Sequence, residues 1–309
     1  MVKRAFLSKI AINTFLRLAF LCPKRDNQTV SNVVRIIGQM MLLKRKSVEK
    51  EESLRPPVNG VKKNKTRKIR YAPVTLSEQG GVRYLHFGTE WIQGAMRLRK
   101  PNWLELEYSR KMMVWLLFNQ NPHSIAQLGL GAGSLTKFCY CQFPDSVVTA
   151  VELNPDVIAI SHSMFSVPET DERFHILEMN ALNFVQDEGN FNLFDVLHVD
   201  LYDATAKGPV LDTPEFYAAC KQCLVFNGMM TVNLFGDHPS FVKNIDAMRK
   251  SFAEVVCLSP SKEGNVVALA FRKRPEFNME ELTVRALQIK EKYGLDAKKW
   301  LKDLKNSLI

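Results

Sequence analysis

The sequence predicts an α/β protein, built on a mostly parallel, doubly wound sheet with helices on both faces and preceded by a small β segment. Three observations predict it. Apolar runs rich in β-branched residues recur at 125–130, 147–153, 174–179, 195–200, 229–235 and 265–271. Helical patterns at 134–142, 155–163, 213–225 and 239–251 separate them, and such alternation is what a parallel sheet covered on both faces requires. Finally, 309 residues at 46% hydrophobic content suffice to bury one substantial core.

In chain order, residues 1–70 hold 18 Lys/Arg against 4 Asp/Glu, whereas residues 71–309 hold 24 against 28. The net charge of +10 is therefore a property of the leader, while the body is slightly acidic. This argues against a nucleic-acid-binding body, which would cluster basic residues on its own face. The apolar stretch 5–22 is interrupted by Lys9, Asn13 and Arg17, so it is no membrane span. Leu21 before Cys22 also spoils a signal-peptide cleavage site. It reads as a loosely ordered extension, the alternative being an amphipathic helix on a membrane surface or partner. Residues 44–70, with Pro56-Pro57 and dense like charge, read as a solvated linker rather than a nucleic-acid contact. The expected division is 1–68 for leader and linker, 69–103 for the small β domain, 104–274 for the sheet domain and 275–309 for a helical extension.

Two β-type runs flank Gln79-Gly80-Gly81, a turn signal. A helix is expected over 104–118, where Trp103, Leu106, Met112, Trp115 and Leu116 share a face, and an amphipathic one over 279–308, with Leu282, Ala286, Ile289 and Leu295 inward. The six cysteines are too sparse for a disulfide scaffold. Cys220 and Cys223 fall within a helical pattern and read as buried thiols, in keeping with a cytoplasmic protein. No His–Cys spacing points to a metal, and His198, inside an apolar strand, reads as a core histidine.

In a doubly wound sheet, ligands bind at the carboxyl ends of the strands. Polar residues stand at those ends: Gly129, Gly131 and Gly133 after the first, Glu152 on the second, Asn180 after the third, Asp200 and Asp203 after the fourth. Alternating glycines let a ligand approach backbone N–H groups at a helix start. Glu152 follows Gly133 by 19 residues, the offset at which an acid reaches ribose hydroxyls. The G-x-G-x-x-G dinucleotide form and the P-loop Lys are both missing, which points to an adenosine-type ligand without a pyrophosphate. Two carboxylates three residues apart repel each other unless a cation or hydrogen bonds offset them, so Asp200 and Asp203 read as a pocket for a cationic amine substrate, the alternative being loop acids facing solvent.

In the order LGLGAGS, AVELNPDV, MNALNFV, DVLHVDLYD and TPEFYAAC, with a glutamine upstream in WIQGAM, residues 72–274 resemble the polyamine aminopropyltransferases, the spermidine synthase family. The resemblance implies a small β domain leading into a Rossmann-like domain of class I methyltransferase type, with decarboxylated S-adenosylmethionine as co-substrate and a homodimer. It implies Asp200 as the catalytic aspartate, Asp203 as the second acid of its loop and Gln93 in the cleft. It further implies Glu152 on the ribose, Asn180-Ala181 near the adenine, and Glu107 and Tyr217 among the substrate-binding residues, with 204–211 as a gate. The sequence departs from the family at Ala132, where an aspartate usually meets the donor amine. Two other readings use the same loop: a methyltransferase taking intact S-adenosylmethionine, and a non-catalytic relative that binds a nucleoside or polyamine.

Overall fold

The computed structural model describes residues 71–203 and 210–308. The chain divides into two units, Met1–Lys68 and Ile69–Ile309, and all described residues fall in the second. The leader, the 44–70 linker and residues 204–209 of the expected gate lie outside the described residues.

A three-stranded antiparallel sheet comes first, in order β1 (Val74–Gln79), β2 (Val82–Phe87), β3 (Gly94–Arg97). Gly80 and Gly81 turn β1 into β2 at φ +59° and +74°, values that L-residues with a Cβ rarely adopt. The four residues of β3 are too few to show an alternation, so the sequence gives no signal for this strand.

The expected helix over 104–118 is instead a short α1 (Glu107–Lys111) running into a 3₁₀ segment, Met112–Leu117. All six 3₁₀ residues are buried. A run apolar on every side has no polar face to give solvent, so the single amphipathic helix does not form.

The second sheet has seven strands in order β6–β5–β4–β7–β8–β10–β9: β4 (Ser124–Leu128), β5 (Val147–Glu152), β6 (Phe174–Glu178), β7 (Phe194–Val199), β8 (Leu224–Phe235), β9 (Glu254–Cys257) and β10 (Asn265–Phe271). Strands β6 through β8 pair in parallel, and β10 runs antiparallel to both β8 and β9. The winding reverses between β4 and β7, which makes that edge the ligand crevice of a Rossmann-like sheet. Helices α2 (Ser134–Gln142), α3 (Pro155–Phe165), α4 (Ala181–Gln186), α5 (Pro214–Cys223) and α6 (Ser240–Arg249) follow the strands. Successive residues of a strand serve opposite faces. Ile125 and Val196 join one core cluster, with Trp115 and Phe138. Ala126 and Leu197 join the other, with Phe216 and Cys220.

The expected single helix over 279–308 is two helices, α7 (Met279–Tyr293) and α8 (Ala297–Leu308). Gly294 ends α7 in the left-handed region at φ +71°, and the ring of Trp103 lies about 3.3 Å from where a Cβ would stand. Leu282, Ala286, Ile289 and Leu295 are buried, in one cluster with the 3₁₀ segment. Among the described residues, no helix is long and apolar enough to cross a membrane.

Candidate active site

Strand register sets the site. Leu128 pairs with both Val151 and Val199, and Val199 with Val232. One residue further along, Gly129, Glu152, Asp200 and Asn233 therefore form the next row, at the carboxyl edge of the sheet. Gly129 is obligatory there: it stands at φ +87°, and a Cβ would fall 2.1 Å from the carbonyl oxygen of Asp200.

This row opens into a cavity of about 720 Å³ lined by residues of both sheets, within the range of small-molecule sites. Gln93, Gly129, Gly131, Glu152, Asn180, Ala181, Asp200 and Asp203 all line it. Gly133 does not; it caps α2 at φ +64° and packs on Val167, shaping the turn behind the wall. The acids on the wall are Glu90, Glu152, Asp200, Asp203 and Glu263, and no Lys, Arg or His is among the described lining residues.

Asp200 is held by two side-chain donors. Asn233 Nδ2 donates to Oδ1 at 2.9 Å and the Tyr108 hydroxyl donates to Oδ2 at 3.2 Å. Asn233 is in turn fixed by Asn265, whose Nδ2 donates to its Oδ1 at 3.1 Å, and by the Tyr202 hydroxyl on its carbonyl at 3.0 Å. Asp200 is half-buried in the cavity wall. This loss of hydration pushes its pKa up to about 6, against the pull of its two donors. Burial and the Asp200 charge hold the Tyr108 hydroxyl well above its ordinary pKa, so it remains a donor.

Glu152 sits astride the glycine turn. Its Oε2 accepts from Leu130 N at 3.0 Å and its Oε1 from Asn154 N at 2.9 Å. Asn180 caps α4 by accepting from Leu182 N at 2.8 Å. Gln93 Nε2 donates to the Asp203 carbonyl at 3.1 Å, joining the small sheet to the loop after β7. Ala132 is buried with Leu85, Met96 and Phe165; a Cβ on Gly94 would lie 2.6 Å from its own. An alanine thus seats the small sheet on the glycine turn.

Besides Gly133, two expected site residues lie off the cavity. Glu107 points away from the cavity, pairing with Lys111 at 3.1 Å and accepting from Lys262 N at 3.3 Å. A residue of α1 one position on, Tyr108, is the one that lines the cavity. Tyr217 is fully buried in the second core cluster, its hydroxyl donating to Asn244 Oδ1 at 2.5 Å; on α5 its side chain faces the sheet. Asn233, Asn265 and Glu263 were missed. An asparagine inside the apolar run of 229–235 was the available signal for the first. His198 is a core histidine: its Nδ1 lies 2.7 Å from Thr231 Oγ1, and burial lowers its pKa to about 3.

A family model described as spermine/spermidine synthase domain matches residues 108–259. The polyamine aminopropyltransferase of Chromobacterium violaceum is 34% identical over 236 residues, which cover 76% of this chain and 90% of that protein. The chain belongs to the polyamine aminopropyltransferase family. A crystal structure of a probable spermidine synthase from Corynebacterium glutamicum shares the fold at TM-score 0.58 and 22% identity, covering 75% of this aminopropyltransferase-family chain and 88% of its own. Human methyltransferase-like protein 13, in complex with SAH, shares it at TM-score 0.55 and 19% identity, over 61% and 92%. At those identities both likenesses describe the fold alone.

Proposed function

We propose that the chain transfers an aminopropyl group from decarboxylated S-adenosylmethionine to a small cationic amine such as putrescine. The carrying observation is a carboxylate, Asp200, held by two donors at the edge of a cavity whose charged lining is wholly acidic among the described residues. Acids in such a lining favour an ammonium substrate and a sulfonium donor. They disfavour the carboxylate of intact S-adenosylmethionine, although Ala132 leaves out the acid that the family sets against the donor amine. Family membership supports the same reading.

In this reading the nucleoside lies over Gly129 and Gly131, with Glu152 at the ribose and Asn180-Ala181 at the adenine. The acceptor nitrogen attacks the propyl methylene beside sulfur. As the C–N bond forms, the C–S bond breaks, and its electron pair leaves on sulfur as the neutral thioether methylthioadenosine. A primary amine has a solution pKa of roughly 10.4, so it must shed a proton, which passes to Asp200. Asp203, tied to Gln93 through its carbonyl, anchors an ammonium of the acceptor. In the same reading the small β domain supplies one wall of the site, the sheet domain carries the chemistry and the C-terminal helices buttress it, with the homodimer of the resemblance as the assembled form.

The test is calorimetric titration with methylthioadenosine, decarboxylated S-adenosylmethionine and S-adenosylmethionine, together with turnover on putrescine. The expected result is preference for the decarboxylated donor, with Asp200→Asn lowering kcat by about 10²–10⁴-fold while methylthioadenosine binding stays within about threefold. Tighter binding of the intact donor would overturn the reading in favour of methyl transfer.

A further inference from the structure

Strand β4 carries one side chain that core packing does not explain. All five of its residues are buried, with β5 and β7 on either side. Such a strand is ordinarily a continuous apolar run, yet its fourth residue is Gln127, paired in register with Ala150 and His198. A buried amide is unfavourable unless its polar atoms find partners, and here they do. Nε2 donates to the Gly129 carbonyl at 2.6 Å, and Oε1 accepts from the hydroxyl of Thr136, itself buried on the first turn of α2. A carbonyl only accepts and a hydroxyl can donate, so the two partners fix which end of the amide faces which.

The bond to Gly129 completes a clamp on a single peptide group. The Gly129 carbonyl and the Leu130 N–H belong to one plane. Gln127 holds its carbonyl end, and Glu152 Oε2 holds its N–H end at 3.0 Å. Glycine leaves such a plane free to turn, and Gly129 must be glycine because a Cβ would strike the Asp200 carbonyl. The orientation is therefore set from outside the residue. Turned over, the plane would break both bonds and bring the Gly129 carbonyl against the Glu152 carboxylate. Gln127, Gly129 and Glu152 all line the cavity, whereas Thr136 stands behind them.

Resting on the proposed aminopropyl transfer, we infer that Gln127 is a positioning residue for the nucleoside, with Thr136 acting through it. Together they hold the 129–130 peptide in the one orientation that leaves Glu152 aimed at the ribose. The pair sets affinity for the nucleoside and takes no part in binding the amine or moving its proton.

Calorimetric titration of the full chain with methylthioadenosine, beside steady-state kinetics and thermal melts, tests this. The variants are Gln127→Met, Thr136→Val, Thr136→Ser and the double Gln127→Met/Thr136→Val. Gln127→Met keeps the length of the side chain and removes both hydrogen bonds. It is expected to weaken methylthioadenosine binding about tenfold and to raise the donor KM to match, with the amine KM and kcat within about threefold. Thr136→Val is expected to weaken binding severalfold, and Thr136→Ser to stay near wild type. The double variant should bind no more weakly than Gln127→Met, because Thr136 acts only through Gln127. Unchanged nucleoside affinity in Gln127→Met, or additive losses in the double variant, would overturn the inference. So would a lowered melting temperature with donor KM, amine KM and kcat all shifting together. Should Gln127→Met fail to fold, the contrast between Thr136→Val and Thr136→Ser decides the same point. A wild type that binds methylthioadenosine but transfers nothing would sink the proposed function alone, and the titrations would still decide Gln127. A wild type that binds no nucleoside would end both.

Discussion

A carboxylate with a pKa near 6 is a better proton acceptor than one near 4, yet it stays mostly ionised at neutral pH. Asp200 therefore sets an acid limb: kcat/KM for the amine is expected to fall about tenfold per pH unit below about pH 6. The limb in kcat should lie lower, because a bound ammonium favours the ionised carboxylate. A profile flat down to pH 5 would remove Asp200 as the base. Lys137 offers a stability counterpart. It is buried against Met96 and donates to the Phe165 carbonyl, and desolvation lowers its pKa to about 8. Its unfolded value is near 10.5, so the unfolded chain binds more protons between pH 8 and 10.5. Stability attributable to this group is thus lowest below pH 8, by roughly 3 kcal/mol, and recovers as pH rises. Buried thiols such as Cys139 and Cys220 have raised pKa values and pull the opposite way above about pH 9. The read-out is accordingly the difference between wild type and Lys137→Met, whose melting temperatures should converge or cross in the wild type's favour from pH 7.5 to 9.5.

At the scale of elements, the glycine turn separates two demands that look alike in sequence. Gly129 needs both its φ of +87° and the absence of a Cβ, which would strike the Asp200 carbonyl. Gly131 needs only its φ of +53°, with Gln93 O the nearest neighbour at 3.4 Å, and an asparagine tolerates that region. Gly129→Ala is expected to cost about 3 kcal/mol or more and to abolish turnover, whereas Gly131→Asn should fold at close to wild-type stability by thermal melt. The strand–helix alternation was legible because each buried run is apolar and bounded by polar tips. The row of Gly129, Glu152 and Asp200 was legible because those tips are polar where the strands are not. The third strand of the small sheet and β9 were not, since four residues carry too little period. The break at Gly294 was missed because the apolar spacing continues across it, and the helix length came from that spacing. Glu107 was misplaced for a related reason: on so short a helix, a one-residue change of register turns a side chain from the cavity to the turn beyond.

For the molecule as a whole, the charge division matters more than the net charge. The body carries a slight excess of acid, and acids are the charged residues among the described lining of the cavity. Amine binding should therefore weaken with salt: raising ionic strength from about 0.05 to 0.5 M shortens the screening length to a few Å and is expected to raise the amine KM severalfold. Methylthioadenosine is uncharged, so its affinity, measured by calorimetry across the same range, should hold steady. Equal salt sensitivity of both ligands would point to a general effect on the fold.

On the proposed reading, Glu152 gives the nucleoside end of the cavity a particular thermodynamic character. With one oxygen on Leu130 N and the other on Asn154 N, the side chain is immobilised, and the glycine turn with it, before anything binds. Its rotamer entropy was spent in folding, so a ribose that meets the remaining lone pairs loses none of its affinity to ordering them. On the proposed reading the nucleoside therefore binds a finished surface, and ordered addition with the nucleoside first is the kinetic form expected of it.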